Sequence, residues 1–459
     1  MKKITIILSM VLVFFSTSCE KYVSHDDIDP NNPTDAPIST LLTTVEVSIF
    51  ATSNGAMARN AGMWIQHFEG TLFQMVEYGS YSLSENDVQN DWNTIYTSGI
   101  VNVNEVIKKG NADGNPYYIG IGEACKAMLL GKATDYWGDI PSREAGLGAS
   151  NLYPHYDAQQ VVLQDIQSML SDAISQLSKS AGDNRLLPGP DDLIHNGDVD
   201  AWIKTCWMLK ARYHNRLSKV DPAGSATDAL ADIDAAGLSG NSDDANAAYG
   251  EAGGTALNPW YAFNQDRADY IKLSATLVDT MNALNDPRLP FYADTVVGGI
   301  YVGSELGAAD ITASNLNSTY FAAAAAPLAL VTYVEAKFIE AEAALRKNDM
   351  ARAQSAYSAA ISASISQYGA DPTAYLAANG TLNAGTELKQ IMFQKWISSF
   401  TQCEAWSDWR RTGYPTLTRN PSGVQNTIPV RYPTEQNERL LNPNATVVSN
   451  LTSPVWWDQ

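Results

Sequence analysis

The chain has 459 residues, enough for one large domain or for two or three ordinary ones. Hydrophobic residues make up 45% of it, a normal share for a protein that buries a real core. The formal net charge of -20 argues against a nucleic-acid partner, because a phosphate backbone would be repelled. Its 11 Trp and 22 Tyr stand beside 11 Phe; Trp and Tyr combine a flat apolar face with a polar group, which suits sugar faces and protein interfaces as well as helical cores.

The first residues have the pattern of an export signal. Two lysines precede an apolar run at 4–15, which is too short to span a bilayer comfortably. Small residues at 16–18 then stand before Cys19, as in a bacterial lipobox, where the chain is cut and the cysteine thiol carries a diacylglycerol. We therefore predict a lipoprotein signal peptide at 1–18 and lipidation of Cys19, with simple secretion as the alternative.

A polar, proline-containing stretch follows and shows no periodicity. It predicts a flexible tether at 19–40 that joins the lipid to the folded body, and one domain at 41–459. Beyond the signal, no apolar run reaches 18 residues, so the lipid is predicted to be the membrane attachment.

Three further cysteines lie beside apolar residues in helical patterns: Cys125, Cys206 and Cys403. Their odd number and their surroundings favour small buried side chains over a disulfide or a set of metal ligands. In an exported protein, one disulfide between two of them stays open.

Helical periodicity dominates the body, and no convincing run of alternating strand residues appears. Two long helical patterns at 116–136 and 156–177 are separated by Gly-Asp-Ile-Pro at 138–141, because Gly and Pro both terminate helices. Amphipathic spacing predicts another helix at 201–217, with a shorter partner near 225–236.

The clearest helix pair is predicted at 328–346 and 350–367. Its second helix carries small residues and one tyrosine at the spacing of a tetratricopeptide repeat, where small side chains let paired helices approach closely. The body therefore holds three or four helix pairs at irregular intervals, which predicts an all-α fold rather than a regular solenoid.

Loop-like stretches interrupt these helices. They are rich in Gly, Asn, Asp, Ser or Pro, and long loops inside a compact domain are usually functional or disordered. They lie at 69–86, 183–197, 237–258 and 285–326.

A segment near the C-terminus concentrates Trp, Arg and Tyr. It predicts a helix that ends at Gly413 and then a proline-stiffened irregular stretch that must lie against the rest of the protein. We interpret Trp406, Trp409 and Arg410 as side chains that fix this helix and its tail to the helical scaffold.

No sequence motif supports an enzyme. The chain has no HExxH, no CxxC pair, no phosphate-binding glycine loop and no GxSxG motif, and its five histidines lack metal-ligand spacing. Two facing carboxylates for glycoside hydrolysis cannot be recognised in a sequence. We predict no catalytic residue, no metal and no cofactor.

Several motifs together resemble one family. Cys19 with its acidic tether is joined by ATDYWGDIP at 133–141, DRADY at 266–270 and NDPR at 285–288. The helix hairpin over 335–369 and the pattern EAWSDWRRTGYP…IPVRYP…E…LN complete the set. The chain resembles the SusD/RagB-like family of Bacteroidetes outer-membrane lipoproteins, in the starch-binding subgroup.

This resemblance implies a fold and a function. The fold is all-α, with tetratricopeptide-like helix pairs packed against a loop-rich half. Members are binders rather than enzymes; they cover a SusC-like TonB-dependent outer-membrane transporter at the cell surface and present glycan, or peptide in some branches, to it. A short lipidated tether would hold such a lid at high local concentration over its transporter.

The resemblance also indicates where ligand contacts lie. Sugar rings stack on aromatic faces while polar side chains bond their hydroxyls. The family pocket uses a loop in the first hundred residues and the insertion before the last hairpin, which here contain six candidates: Tyr78, Tyr81, Asn86, Trp260, Tyr301 and Tyr320. Four other tryptophans lie in helical motifs and are predicted to be core: Trp202, Trp396, Trp406 and Trp409.

Three other functions remain open. Within the same architecture, the ligand could be a peptide or glycopeptide. In a different class, the protein could be a lipid-anchored hydrolase, or a scaffold that contacts only the transporter. Glycan binding without turnover would distinguish a glycan-binding protein from a hydrolase. Retention of glycan would distinguish it from a scaffold that contacts only the transporter.

Overall fold

The computed structural model describes residues 35–459. The predicted signal peptide at 1–18, Cys19 and most of the tether predicted at 19–40 lie outside the described residues. Helix α1 begins at Ile38, whose side chain is already buried, so the folded body begins before the predicted boundary at 41. Within the described range, no helix is both long enough and apolar enough to cross a membrane.

The first half of the chain is almost entirely helical. Its elements are α1 (Ile38–Asn54), α2 (Ala56–Trp64), β1 (Phe68–Gly70), α3 (Gln74–Gly79), α4 (Gln89–Asn93), α5 (Val101–Asp113), α6 (Pro116–Trp137), α7 (Gln159–Leu177), α8 (Val199–Arg216) and α9 (Pro222–Ala236). A π-helical turn, Thr94–Ile100, joins α4 to α5 without a break.

The second half alternates short elements with long loops. Its elements are β2 (Ala245–Ala247), α10 (Pro259–Asp266), β3 (Ile271–Leu273), α11 (Ala275–Ala283), α12 (Leu289–Tyr292), β4 (Leu328–Val331), α13 (Tyr333–Arg346), α14 (Met350–Ser366), α15 (Thr373–Asn379), α16 (Glu387–Ser398), α17 (Glu404–Thr412) and α18 (Gln436–Leu441). Single 3₁₀ turns occur at Gly148–Ser150, Ala181–Asp183, Asn241–Asp243, Gly254–Ala256 and Trp456–Asp458.

The long helices pack on one another in pairs. Helix α6 packs on α7, α8 on α9 and α13 on α14, while contacts of α7 with α8 and of α9 with α13 join the pairs into one stack. Local chemistry sets the ends: the Asp198 carboxylate accepts the backbone N–H groups of Asp200 and Ala201 at the start of α8. The predicted all-α class with tetratricopeptide-like pairs is confirmed.

Two predicted elements differ from the structure. Residues 328–331, predicted as helix, form strand β4, because a short apolar run does not distinguish a strand from a helix. Helix α13 begins only at Tyr333, where the Thr332 hydroxyl accepts the N–H of Glu335. The stretch 69–86, predicted as a loop, contains most of β1 and the short helix α3.

The four short strands tie the loop-rich half together. Strand β1 pairs antiparallel with β3, and β2 pairs antiparallel with β4. Each pairing joins segments far apart in sequence, so these ladders anchor long loops to the helical stack. Their edges lie beside the surfaces described below as candidate sites.

The core agrees with the interpretation of the cysteines and most tryptophans. Cys125, Cys206 and Cys403 are buried free thiols. Trp202, Trp396 and Trp406 are buried as well, whereas Trp409 is half-buried. One cluster of buried apolar side chains extends from α1 to the last turn of the chain, and a smaller one lies beneath α13 and α14.

Buried charges join α17 to the helical stack. The Glu404 carboxylate contacts Arg216, lies 3.2 Å from Lys132 Nζ and lies 3.8 Å from Arg212 Nη1. Arg216 also pairs with Asp135 at 2.9 Å. All five side chains are buried, so each carboxylate offsets the desolvation of the cations around it.

The C-terminal segment lies on this same region, as its composition predicted. Helix α17 ends at Gly413, which takes φ 73°, a left-handed conformation that favours glycine. The Trp406 indole donates to Pro429 O at 2.9 Å, and the backbone N–H of Tyr432 donates to Tyr136 O at 2.8 Å. The irregular tail is therefore fixed by bonds to helices rather than by its own secondary structure.

A buried histidine leads to a testable pH dependence. His67 lies inside the core with Nε2 2.9 Å from Trp396 O, while its Nδ1 is buried without a partner among the described residues. Burial lowers the pKa of His67 to about 3. Because an unfolded histidine has a pKa of about 6.5, the unfolded chain binds the proton first, and the free energy of unfolding falls as pH drops from about 6.5 towards 3, by up to about 1.4 kcal/mol per pH unit.

We expect the His67 ring resonances to stay constant in NMR spectra between about pH 8 and about pH 5. The reason is that a proton on Nδ1 would have no acceptor in the core. A titration midpoint near the ordinary histidine value of about 6.5 would contradict this buried, neutral assignment.

Candidate functional site

A cleft opens where the loop-rich half meets the α13–α14 hairpin. Its volume is 440 Å³, within the range of small-molecule sites. Its walls come from the loop that precedes β4, from the residues after α14 and from the turn after α16. Because these segments are far apart in sequence, no local pattern reveals the cleft.

Tyr320 is the exposed aromatic side chain of this cleft. The Asn317 carboxamide accepts the backbone N–H groups of Thr319 and Tyr320 at 2.8 and 3.0 Å, which holds the turn that carries the ring. Behind it, Phe291 packs edge-on with ring centroids 4.9 Å apart, and Tyr368 does so at 6.2 Å. The ring of Tyr320 is thereby supported while 43% of the residue stays exposed.

The polar groups beside Tyr320 are neutral and unengaged. The side chains of Asn246, Thr319 and Gln402 line the cleft and form no hydrogen bond with another described residue. Amide and hydroxyl groups both donate and accept, so they match the hydroxyls of a sugar. A tyrosine face beside such groups is the combination that carbohydrate recognition needs.

One carboxyl group gives the cleft its only charge among the described lining residues, none of which is Lys or Arg. Burial raises the pKa of Asp244 to about 7, although the backbone N–H of Tyr333 donates to its Oδ1 at 2.7 Å. Among its described lining residues the cleft therefore carries at most one negative charge, and that carboxyl group is partly protonated near neutral pH. The cleft suits a neutral polar ligand better than an ionic one.

A second aromatic surface lies at the β1–β3 edge, where two predicted loop regions meet. Phe73 is 69% exposed and stacks on Tyr270 with ring centroids 5.1 Å apart. The N–H of Gly307 donates to Glu69 at 2.8 Å and brings the later loop against the earlier one. Sequence reasoning missed this Phe73–Tyr270 platform, because nothing local shows that the phenylalanine faces solvent.

Two predicted ligand contacts require correction. Tyr81 and Trp260 are each only 1% exposed and have no open face for a sugar. The Tyr81 hydroxyl accepts the N–H of Asn420 at 2.8 Å, and the Trp260 ring lies 4.8 Å from that of Phe68. Both side chains hold loops to the core.

The other predicted residues lie apart from the cleft. Tyr78 is half-buried and donates its hydroxyl proton to Asp87 Oδ1 at 2.9 Å. Asn86 is exposed, and Tyr301 is half-buried near Asn282. Of the six candidates, the structure places Tyr320 alone in this cleft.

Paired helices packed against a loop-rich half define a helical-repeat fold, and solved structures share this fold over most of the chain. A chitin-binding protein is 27% identical, with a TM-score of 0.76, and the match covers 92% of this chain and 100% of that chain. A chitin-binding SusD homolog from Flavobacterium johnsoniae is 23% identical, with a TM-score of 0.79 and coverage of 92% and 98%. A SusD/RagB family protein from Bacteroides thetaiotaomicron is 24% identical, with a TM-score of 0.77 and coverage of 92% and 99%.

Residues 30–433 match the SusD-like family that is described as starch-binding and associating with the outer membrane. This protein belongs to the SusD-like family, as its motifs predicted. A comparison with curated proteins finds no match.

Proposed function

We propose that this protein is a cell-surface glycan-binding lipoprotein that captures oligosaccharide and delivers it to a SusC-like TonB-dependent transporter. The observation that carries the proposal is the exposed Tyr320 ring beside unengaged neutral amide and hydroxyl groups in a 440 Å³ cleft. The family description, starch-binding and associating with the outer membrane, supports both the ligand class and the location.

The ligand class follows from the chemistry of the cleft. An apolar C–H face of a pyranose ring packs on Tyr320, while Asn246, Thr319 and Gln402 bond hydroxyl or acetamido groups. Because a relative at 27% identity is a chitin-binding protein, oligomers of N-acetylglucosamine are the first ligands to test, followed by starch fragments. The site needs only moderate affinity, since a receptor that passes its ligand onward must release it.

The anchor and partner complete the proposal. Lipidation of Cys19 and a tether after it would hold the protein at the outer membrane, and such tethering raises the effective concentration of ligand sites over a transporter. In this role the protein binds without turnover. Peptide binding is the alternative within the family, and hydrolysis of the oligosaccharide is the alternative outside it.

Replacing Tyr320 by alanine should weaken oligosaccharide binding at least tenfold, which corresponds to about 1.4 kcal/mol. The change removes the stacking face but leaves the neighbouring amides, so isothermal titration of the full chain in detergent should show the loss in Kd. Tyr320→Phe keeps the ring and should retain most of the affinity. Tyr153→Ala is the matched control, since Tyr153 is a 52% exposed tyrosine outside the cleft.

Other results of the same titration would indicate a different binding site, a different activity or a different ligand class. If Tyr320→Ala binds like the unchanged protein and Phe73→Ala does not, the glycan binds at the Phe73–Tyr270 platform instead. Release of shorter sugars during the titration would establish a hydrolase. Retention of peptides but of no glycan would replace the proposed ligand class.

A further inference from the structure

A second pocket, separate from the Tyr320 cleft, lies beneath α18. Its volume is 220 Å³, below the range of about 300–1,000 Å³ that is usual for larger ligands, so it fits one small group or one sugar unit. It shares no lining residue with the Tyr320 cleft. The residues that matter for its chemistry are Trp92, Tyr96, Glu435 and Glu438.

Glu435 is a buried carboxylate with one unengaged oxygen. Its residue is 1% exposed, and its Oε2 accepts the N–H of Glu438 at 2.9 Å at the start of α18. Its Oε1 is buried without a hydrogen-bond partner in the described part of the chain. Such an oxygen is costly to bury, and native structures usually satisfy it.

The second carboxylate faces the same pocket without a cation. Glu438 Oε2 accepts the hydroxyl of Tyr156 at 3.1 Å and the amide of Asn442 at 3.0 Å. Neither glutamate forms an ion pair with a described lysine, arginine or histidine, and the adjacent Arg439 is engaged with Glu85 at 2.7 Å. The buried Glu404 carboxylate pairs with several cations, whereas the buried Glu435 and the half-buried Glu438 pair with none in the described part of the chain.

Aromatic rings line the same pocket. Trp92 and Tyr96 have ring centroids 4.4 Å apart, and Trp92 is also stacked with Tyr156 at 6.4 Å. Burial, followed by the Glu438 carboxylate, raises the pKa of the Tyr156 hydroxyl, which therefore stays protonated and donates to that carboxylate. Because Trp92 is buried against these two rings, the half-buried Tyr96 is the aromatic side chain that supplements the carboxylates, and an aromatic ring attracts an organic cation through its quadrupole.

The donor set fits an ammonium group better than a metal ion. Hard cations such as Ca²⁺ take six to eight oxygen ligands, and sites usually draw several of them from carboxylates. The described residues contain no group of three or more metal-binding side chains, and this pocket offers two. A primary ammonium has three N–H donors, which two carboxylates and a carbonyl or hydroxyl can satisfy.

We propose that the pocket binds the free amine of an amino sugar, such as a glucosamine unit within a partly deacetylated glycan. This inference rests on the proposed glycan-binding function and adds a second, charge-selective subsite to it. The two sites would then select different units: the Tyr320 cleft takes an uncharged, N-acetylated unit, and the pocket takes a charged unit between Glu435 and Glu438. Selectivity arises because an acetylated nitrogen carries no positive charge and presents one N–H donor instead of three.

The test compares ligands that differ only at the nitrogen. We expect the full chain in detergent, at about 0.15 M salt to screen its general negative charge, to bind a glucosamine tetramer at least tenfold more tightly than a glucose tetramer of the same length. In Glu435→Gln that preference should disappear, while affinity for the N-acetylglucosamine tetramer stays unchanged. The amide oxygen of the glutamine can still accept the Glu438 N–H, so thermal melting should show an intact fold.

Controls separate this subsite from nonspecific attraction and from the proposed function. Glu105→Gln removes one negative charge at an exposed site that pairs with Lys108, and it should leave the preference intact. Tyr320→Ala tests the proposed function alone. It should weaken binding of the N-acetylglucosamine tetramer and leave the Glu435-dependent binding of the glucosamine tetramer unchanged.

Two results would overturn the inference. One is equal binding of the glucosamine tetramer by Glu435→Gln and by the unchanged protein. The other is Glu435-dependent binding of Ca²⁺ or of a lysine peptide without binding of the glucosamine tetramer, which would assign the pocket to a different cation.

Discussion

Replacing Glu404 by alanine should lower the free energy of unfolding by about 3–5 kcal/mol, the usual cost of breaking a buried ion pair. The change leaves Arg216, Lys132 and Arg212 buried without the carboxylate that contacts all three. Burial and these cations act in opposite directions on the pKa of Glu404, and the cations win, holding it well below its usual range. The carboxylate is therefore ionised in the fold. Its loss leaves Lys132 without an ion-pair partner among the described residues, while Arg216 keeps Asp135 and Arg212 keeps Glu335.

Urea unfolding monitored by tryptophan fluorescence measures this effect. Glu105→Ala is the matched control, because its partner Lys108 is exposed and such surface pairs contribute about 0–1 kcal/mol. A Glu404→Ala midpoint indistinguishable from that of Glu105→Ala would show that the network does not stabilise the contact between α17 and the stack.

Replacing Trp406 by alanine should cost about 3–5 kcal/mol, as for other large buried aromatics. Its ring is fully buried between Trp64 and Tyr136, with centroid distances of 5.1 and 4.8 Å, and the Arg410 guanidinium carbon lies 3.6 Å over it. The change also removes the indole bond to Pro429 O, so the irregular tail loses one of its attachments.

Two measurements separate the loss of core packing from the loss of the tail's attachment. Equilibrium unfolding gives the total loss, and limited proteolysis reports release of the tail beyond residue 428. Trp409→Ala serves as the control, since this neighbouring tryptophan on α17 is half-buried and should cost less. A loss below about 1 kcal/mol for Trp406→Ala would contradict its assignment to the core.

The helical stack could be predicted because its signals are local. Helical periodicity and glycine breaks mark α6, α7 and α8 within one or a few residues, and Gly413 marks the end of α17. Strand β4 was missed since its four apolar residues fit either structure and only pairing with β2 decides. The helix at 74–79 was missed because its surroundings resemble a loop.

Ligand contacts were harder to predict, because exposure depends on residues far away in sequence. The neighbouring glycine and serines suggest an exposed Tyr81, yet the residue is buried and its hydroxyl accepts the backbone N–H of Asn420. Trp260 follows a loop, yet it packs on Phe68. Tyr320 packs against Phe291 and Tyr368 and yet stays 43% exposed. Composition identified aromatic loops; tertiary packing decides which rings a ligand could reach.

The late position of Glu404 in the chain has a consequence for biosynthesis. Its three cationic partners lie on α6 and α8, which leave the ribosome long before Glu404 does. Until α17 and the final turn with Trp457 are made, those helices lack the Glu404 carboxylate beside their cations and keep an uncovered apolar surface. We therefore expect the nascent protein to remain open until synthesis is nearly complete, a state compatible with the export that the sequence of residues 1–18 predicts.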